Sequence, residues 1–246
     1  MIKLARLICI GLLMTVTGVS YAGQARPAQA TARDRFEVAS IKAVRPTLVN
    51  TVAALKKGDG AGAKAAFTDY DSGWNGVEVY ISTRDMEMYG ELERNYQAKI
   101  TEGLNSAKPD AAALLTDATA MLAKYDEMIS NEEKAAPLNP LYDDVARLRI
   151  VRAHLREVNP ALKAGDIAKA RKSFNAFNDH WDSIEDLIKA RSTDAYTQIE
   201  GGMIQIERAL MPAKPDADEV TTLVSGVMDK YNPVVAAVTQ DARARK

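Results

Sequence analysis

Two stretches of the chain repeat the same pattern of aromatic, acidic and basic residues, and this repeat constrains the fold more than any other feature of the sequence. The matched positions are Phe67, Trp74, Glu78, Ile81, Arg84, Tyr89 and Glu93 in the first stretch, and Phe174, Trp181, Glu185, Ile188, Arg191, Tyr196 and Glu200 in the second. Every pair is separated by 107 positions (174 − 67). Beyond Glu93 the separation falls to 106 (213 − 107), where "AKPDA" at 107–111 recurs at 213–217. A repeat that keeps its register over this length predicts a duplicated domain rather than a short solenoid unit.

The spacing of the apolar residues predicts an all-α fold in each half. Apolar positions recur every three or four residues, without the alternation that is typical of strands. Gly, Pro, Asp and Ser/Thr clusters separate helices predicted at 36–57, 62–83, 86–106, 110–130, 142–163, 167–190, 193–211 and 216–239. Short connections make consecutive helices antiparallel neighbours. We therefore predict two tandem antiparallel four-helix bundles related by internal duplication, at 36–130 and 142–240, joined by a linker at 131–141 and followed by a basic tail at 241–246.

The N-terminus predicts an exported, periplasmic protein. Lys3 and Arg6 precede the apolar run "LICIGLLMTVTGV", and the small-residue pattern at 20–22 predicts a signal peptide of residues 1–22 followed by a linker at 23–35. No second long apolar run follows, so we expect a soluble product without stable membrane insertion after cleavage. Removing the signal leaves 30 basic and 33 acidic residues, and this charge balance argues against a nucleic-acid partner. The single cysteine, Cys9, lies within the signal.

The repeated hairpin predicts a pair of acids in each half. Glu78 and Glu93 lie at equal distances from the turn between two antiparallel helices, and Glu185 and Glu200 do the same in the second half. Two carboxylates that face each other require a proton, a cation or a basic side chain to neutralise them. Asp71 lies one heptad before Glu78 on the same flank. Oxygen donors of this kind suit hard cations such as ferric iron, calcium or magnesium.

Two further interpretations stay open for these residues. The acids fit a structural network with the repeated aromatic and arginine residues, namely Trp74, Trp181, Tyr89, Tyr196, Arg84 and Arg191. In the second half alone, His154 and Glu157 are spaced for one helix face, and His180 precedes the tryptophan of the next helix. These three residues are additional candidate metal ligands. We find no nucleophile motif or phosphate-binding loop, so we do not expect an enzyme.

The repeat resembles a known family. "LKAGDIAKARKSFNAFNDHWDSIEDLIKARSTDAYTQIE" (162–200) resembles the periplasmic helical extension of some bacterial high-affinity iron permeases, and 55–93 shows the same signature more loosely. The layout is also similar to the imelysin-like iron-uptake proteins, which consist of two related four-helix bundles. Their G-x-H-x-x-E motif has its nearest counterpart at 152–157, which lacks the glycine. The chain shows no permease transmembrane helices, so the resemblance implies a separate partner of the transport machinery.

The resemblance implies a role in iron uptake. The expected function is a periplasmic accessory protein that binds ferric or ferrous iron, or delivers it to an iron permease or another membrane iron-transport component. By position, the four repeated glutamates are the acids that the resemblance assigns to iron. The alternative is a non-metal module that holds a small ligand or a partner protein in a groove of the bundle.

Overall fold

The structure, a computed structural model, describes residues 35–245, and within this range the chain is all-α. The helices are α1 Phe36–Lys56, α2 Gly60–Arg84, α3 Met86–Gly90, a π-helical segment Glu91–Gln97, α4 Ala98–Asn105, α5 Ala111–Lys134, α6 Leu141–Lys163, α7 Ile167–Trp181, α8 Glu185–Arg191, α9 Thr193–Leu210 and α10 Ala217–Ala244. The all-α class that the sequence predicted is confirmed for these residues. The predicted signal peptide, and the predicted linker apart from Arg35, lie outside the described range. Between residues 35 and 245, no helix has the length and apolar character needed to cross a bilayer.

Capping side chains fix where most of these helices begin. Asp59, Asp85, Asp110, Asp166 and Asp216 each accept a hydrogen bond from a backbone N–H in the first turn of the helix that follows, and the Ser192 hydroxyl does the same for α9. These caps coincide with the breaks that the sequence predicted.

Two glycines allow the tight turns that lead into the second helix of each half. Gly58 and Gly165 have φ values of 72° and 74°, in the left-handed region that glycine enters without steric cost. They are separated by the same 107 positions (165 − 58) as the repeated hairpin residues. Both halves therefore enter this helix through the same backbone conformation.

The packing partners divide the helices into two groups that meet along α2 and α6. In the first group α1 packs on α2 and α5, while α5 also contacts the π-helical segment and α4. In the second group α6 packs on α7 and α10, and α10 packs on α9. At Gly76 of α2 an added Cβ would lie 2.6 Å from a side-chain carbon of Ile150 in α6. The absence of a side chain at Gly76 therefore allows α2 and α6 to approach closely.

Each group of helices has a core of aromatic and aliphatic residues that follow the three- and four-residue apolar spacing of the sequence. Phe67, Tyr70, Trp74, Val77 and Ile81 are all buried, as are Phe174, Phe177, Trp181, Ile184 and Ile188. The hydroxyl of Tyr125 donates to the carbonyl of Ile41 at 2.9 Å, and the hydroxyl of Tyr231 donates to the carbonyl of Leu148 at 2.8 Å. In both cases a tyrosine of the last helix ties that helix to the first helix of its group.

Two of the predicted helices are interrupted. The helix predicted at 86–106 contains the π-helical segment Glu91–Gln97, which lies where the first repeat has one more residue than the second. A π turn closes with an i→i+5 hydrogen bond, so it accommodates an extra residue without ending the helix. The helix predicted at 167–190 breaks after Trp181. There the Ser183 hydroxyl donates to the His180 carbonyl at 2.6 Å, and this bond competes with helix continuation.

Candidate functional site

In the first half, the structure brings the paired acids together but adds a basic side chain. Burial raises the pKa of Glu78, Arg149 lowers it, and the negative charge of Glu93 raises it, so the two carboxylates lie within electrostatic range. Arg149 Nη1 donates to Glu78 Oε1 at 3.1 Å. Trp74 Nε1 donates to Glu93 Oε1. The Tyr89 phenol also hydrogen-bonds with Glu78. Both acids therefore already have hydrogen-bond donors, and Glu78 also has a cationic partner.

Arg149 reaches Glu78 because α6 packs against α2. It belongs to the second half of the chain, and its counterpart in the first half is Lys42, which bonds Glu133 instead. Both side chains of the Arg149–Glu78 pair are mostly buried, with 17% and 22% of their surface exposed. The guanidinium therefore supplies the neutralising charge that the acid pair requires.

In the second half, the equivalent acids also meet at a phenol, but no guanidinium forms a salt bridge with them among residues 35–245. The Tyr196 hydroxyl lies 3.5 Å from Glu185 Oε2 and also hydrogen-bonds with Glu200. The hydrogen bond with Glu200, partial desolvation and the negative charges of both acids raise the pKa of Tyr196 to about 12. A single phenol proton cannot satisfy both carboxylates, so the cluster retains negative charge.

No basic side chain forms a salt bridge with Glu185 or Glu200 among residues 35–245. The Lys189 ammonium lies over the Tyr196 ring, 5.0 Å from its centroid, in a cation–π contact. Carboxylate and phenolate oxygens are hard donors of the kind that a trivalent cation prefers. Glu185, Tyr196 and Glu200 thus form a three-oxygen set that is partly exposed to solvent.

The two repeated tryptophans differ in their hydrogen-bond partners, as the two acid pairs do. Trp74 stacks on Tyr89, and Trp181 stacks on Tyr196, each with ring centroids 6.3 Å apart. Trp74 Nε1 bonds Glu93, whereas Trp181 Nε1 is buried and has no hydrogen-bond partner. The second site therefore has an unused donor where the first site has a closed contact.

The remaining predicted structural residues, Arg84 and Arg191, bond other acids. Arg84 donates to Glu132 and to Glu37, and Arg191 donates to Asp241. Each repeated arginine thus ties the hairpin turn to the last helix of its own half. The donors of these arginines bond other acids than the repeated glutamates, whereas Trp74, Tyr89 and Tyr196 do hydrogen-bond with those glutamates.

Of the other candidate ligands, Asp71 lies apart, whereas His154 lies within electrostatic range of both Glu157 and His180. Asp71 accepts a hydrogen bond from Gln97 at 2.7 Å, and burial raises its pKa. The His154 and His180 rings stack with centroids 5.5 Å apart. Glu157 accepts hydrogen bonds from two serine hydroxyls. Within residues 35–245, no three His, Cys, Asp or Glu side chains come together as a metal-ligand group.

Three kinds of residue at these sites were missed by the sequence reasoning. Arg149 gave no signal, since it reaches Glu78 only through contact between the halves. Tyr196 was assigned a structural role, although its phenol oxygen lies at the same place in the repeat as the acids. Lys169 and Lys172, which line a cleft between α2, α6 and α7, were also missed, because the elements that form this cleft are far apart in the chain.

Comparison with known proteins identified no relative of the chain. No protein-family model, no curated protein and no solved structure matches the chain.

Proposed function

We propose that this chain is an exported iron-uptake accessory protein that binds ferric iron through Glu185, Tyr196 and Glu200 and delivers it to a membrane permease. The observation that carries the proposal is the convergence of two carboxylates on one phenol without a salt bridge to either acid among the described residues. Export and the permease partner rest on the signal-like N-terminus and on the resemblance to iron-uptake proteins.

The charge of the cluster supports a trivalent ion as its ligand. When the phenol is ionised, the three side chains carry three negative charges, which match the charge of ferric iron. Ferric iron also favours hard oxygen donors over nitrogen or sulfur. The Lys189 ammonium weakens this attraction through its positive charge, and it contacts the ring face rather than a donor oxygen.

The first acid pair serves as an internal comparison. It has two glutamates and a stacked tryptophan and tyrosine at the equivalent positions of the repeat. It also has a guanidinium, which the second pair lacks in the described part of the chain. Arg149 therefore takes the place that a cation would occupy. On this proposal only the second half of the chain holds the metal with useful affinity.

We also propose that the two helical groups are tandem four-helix bundles that arose by duplication. Support comes from features that recur at the repeat separation: the left-handed glycines, the tyrosine-to-carbonyl bonds and the stacked aromatic pairs. The π-helical segment, which accommodates the extra residue of the first repeat, supports the same origin.

The iron proposal is tested by ferric binding in competition with nitrilotriacetate. We expect the wild-type chain to bind one ferric ion, and Glu185→Gln/Glu200→Gln to lose more than about 100-fold in affinity, since even outer-shell partners cost 10–100-fold. The matched control is Glu78→Gln/Glu93→Gln, which is expected to retain wild-type affinity. Circular dichroism confirms the fold of each variant. Absence of wild-type binding, or loss of binding in the control pair alone, contradicts the proposal.

A further inference from the structure

A cleft with a volume of about 650 Å³ lies between α2, α6 and α7. None of the residues that line it belongs to the proposed metal centre of Glu185, Tyr196 and Glu200. Its volume falls within the range of small-molecule pockets, and Ile150, Ala153 and Ala176 give it an apolar surface. The cleft is formed where the two helical groups meet, and such junctions are frequent places for ligands.

One side of the cleft presents two acids, Asp69 and Glu157, that form no salt bridge among residues 35–245. Glu157 accepts hydrogen bonds from Ser72 Oγ at 2.5 Å and from Ser173 Oγ at 3.1 Å, so each of its oxygens is held by a neutral hydroxyl. Asp69 lies close enough that the charge of Glu157 raises its pKa, in addition to the larger effect of desolvation. The carboxylate of Glu157 is therefore oriented by neutral hydroxyls. His154, which also lines the cleft, lies within its electrostatic range, and burial lowers the pKa of this imidazole.

The α7 side of the cleft presents two lysines. Lys169 and Lys172 are three residues apart on one helix face, and both line the cleft. Their positive charges act on Asp69 and oppose the rise in its pKa, so both ammonium groups lie within electrostatic range of the acidic side. Neither lysine forms a salt bridge in the described part of the chain. Each therefore has donors available for an anionic group.

We propose that this cleft binds a small zwitterion of dipeptide size, with its ammonium group at Glu157 and Asp69 and its carboxylate at Lys169 and Lys172. The two charged sides are complementary to a molecule that carries opposite charges at its two ends. The apolar surface between them accommodates side chains. Charge-assisted hydrogen bonds at both ends fix the direction in which the ligand lies.

The test is calorimetric titration of the full mature chain with alanyl-leucine. Two derivatives remove one charge each: N-acetyl-alanyl-leucine lacks the ammonium group, and alanyl-leucinamide lacks the carboxylate. We expect the free dipeptide to bind, and each blocked form to bind at least about tenfold more weakly, because each loses a charge-assisted contact. Equal affinity of the blocked and free forms, or no binding of the free dipeptide, overturns the proposal.

Two sets of variants locate the binding site. Glu157→Gln is expected to weaken the free dipeptide at least about tenfold while changing the affinity for the acetylated form little. Lys169→Gln/Lys172→Gln is expected to weaken the free dipeptide similarly and to spare alanyl-leucinamide. The lysines are exposed, so this pair keeps the test valid if Glu157→Gln does not fold.

The matched control removes two exposed lysines outside the cleft, Lys99→Gln/Lys214→Gln. This control changes the net charge by the same amount as Lys169→Gln/Lys172→Gln, and it is expected to bind the dipeptide as the wild type does. If both lysine pairs weaken binding equally, the effect is one of overall charge and the proposal is wrong. Ferric binding, measured on the same variants, is expected to be unchanged. The dipeptide and iron proposals therefore fail or succeed separately.

Discussion

The salt bridge between Arg149 and Glu78 is expected to stabilise the contact between the two halves of the chain. At 3.1 Å and an effective dielectric constant of about 20, the attraction between the two charges is about 5 kcal/mol before desolvation is subtracted. Exposed pairs yield a net of about 0.2–1 kcal/mol, and breaking a fully buried pair costs about 3–5 kcal/mol. Because these side chains are 17% and 22% exposed, we expect a net coupling of about 1–3 kcal/mol.

A double-mutant cycle measures this coupling. The free energy of unfolding in urea is compared for the wild type, Glu78→Gln, Arg149→Met and the double variant; methionine retains an apolar stem at position 149. The control cycle is Arg45→Met with Asp126→Asn, a pair whose side chains are 41% and 46% exposed. That cycle is expected to yield a coupling below about 1 kcal/mol that falls with added salt. A coupling below about 0.5 kcal/mol for Arg149 and Glu78 would refute the reasoning, since it lies within the error of additivity.

Three further predictions concern the metal centre and the turns. Arg149→Met removes the guanidinium from the first acid pair, so this variant is expected to bind a second ferric ion in the chelator competition. A stoichiometry that stays at one ferric ion contradicts the proposal that Arg149 occupies the place of a cation. In the wild type, ferric affinity is expected to rise up to about tenfold per pH unit near neutral pH, because Tyr196, with its pKa raised to about 12, must release its proton to ligate. Tyr196→Phe in the same buffers is expected to lose this increment, and an unchanged slope would remove Tyr196 from the site. Gly58→Ala and Gly165→Ala are each expected to lower the free energy of unfolding in urea by about 1 kcal/mol, because both φ values are positive. Nothing lies within 4 Å of either added Cβ, so the two effects are expected to add in the double variant. An unchanged free energy of unfolding at either position contradicts the backbone argument.

The helical class and the helix starts were predictable because they depend on local physics. An apolar period of three to four residues indicates a helix, and a capping aspartate such as Asp59 or Asp166 marks its first turn. The burial of Trp74 and Trp181 follows from the same apolar spacing. These features need only residues that are close together in the sequence.

The interruptions were harder to predict because they depend on small local differences. The break after Trp181 involves a side-chain bond from Ser183 that offers the backbone an alternative to the helix. The π-helical segment Glu91–Gln97 follows from one extra residue, which the sequence repeat records as a change of register. That change was visible, but it did not reveal whether the extra residue would fall in a loop or within a helix.

The chemistry of the acid pairs was predictable only in part. The repeat identified Glu78 and Glu185 as equivalent, yet their surroundings differ because Arg149 comes from α6 and reaches only the first of them. No local pattern encodes a contact between elements so far apart in the chain. The cleft with Lys169 and Lys172 escaped prediction for the same reason, since its walls belong to three helices.

The most direct measurement of the central claim is resonance Raman spectroscopy of the ferric-loaded protein, excited in the tyrosinate-to-iron charge-transfer band. The account predicts tyrosinate vibrations in the wild type and in Glu78→Gln/Glu93→Gln, and their loss in Tyr196→Phe. Iron bound without these vibrations, or vibrations that persist in Tyr196→Phe, would contradict an iron centre formed by the phenol and its two carboxylates.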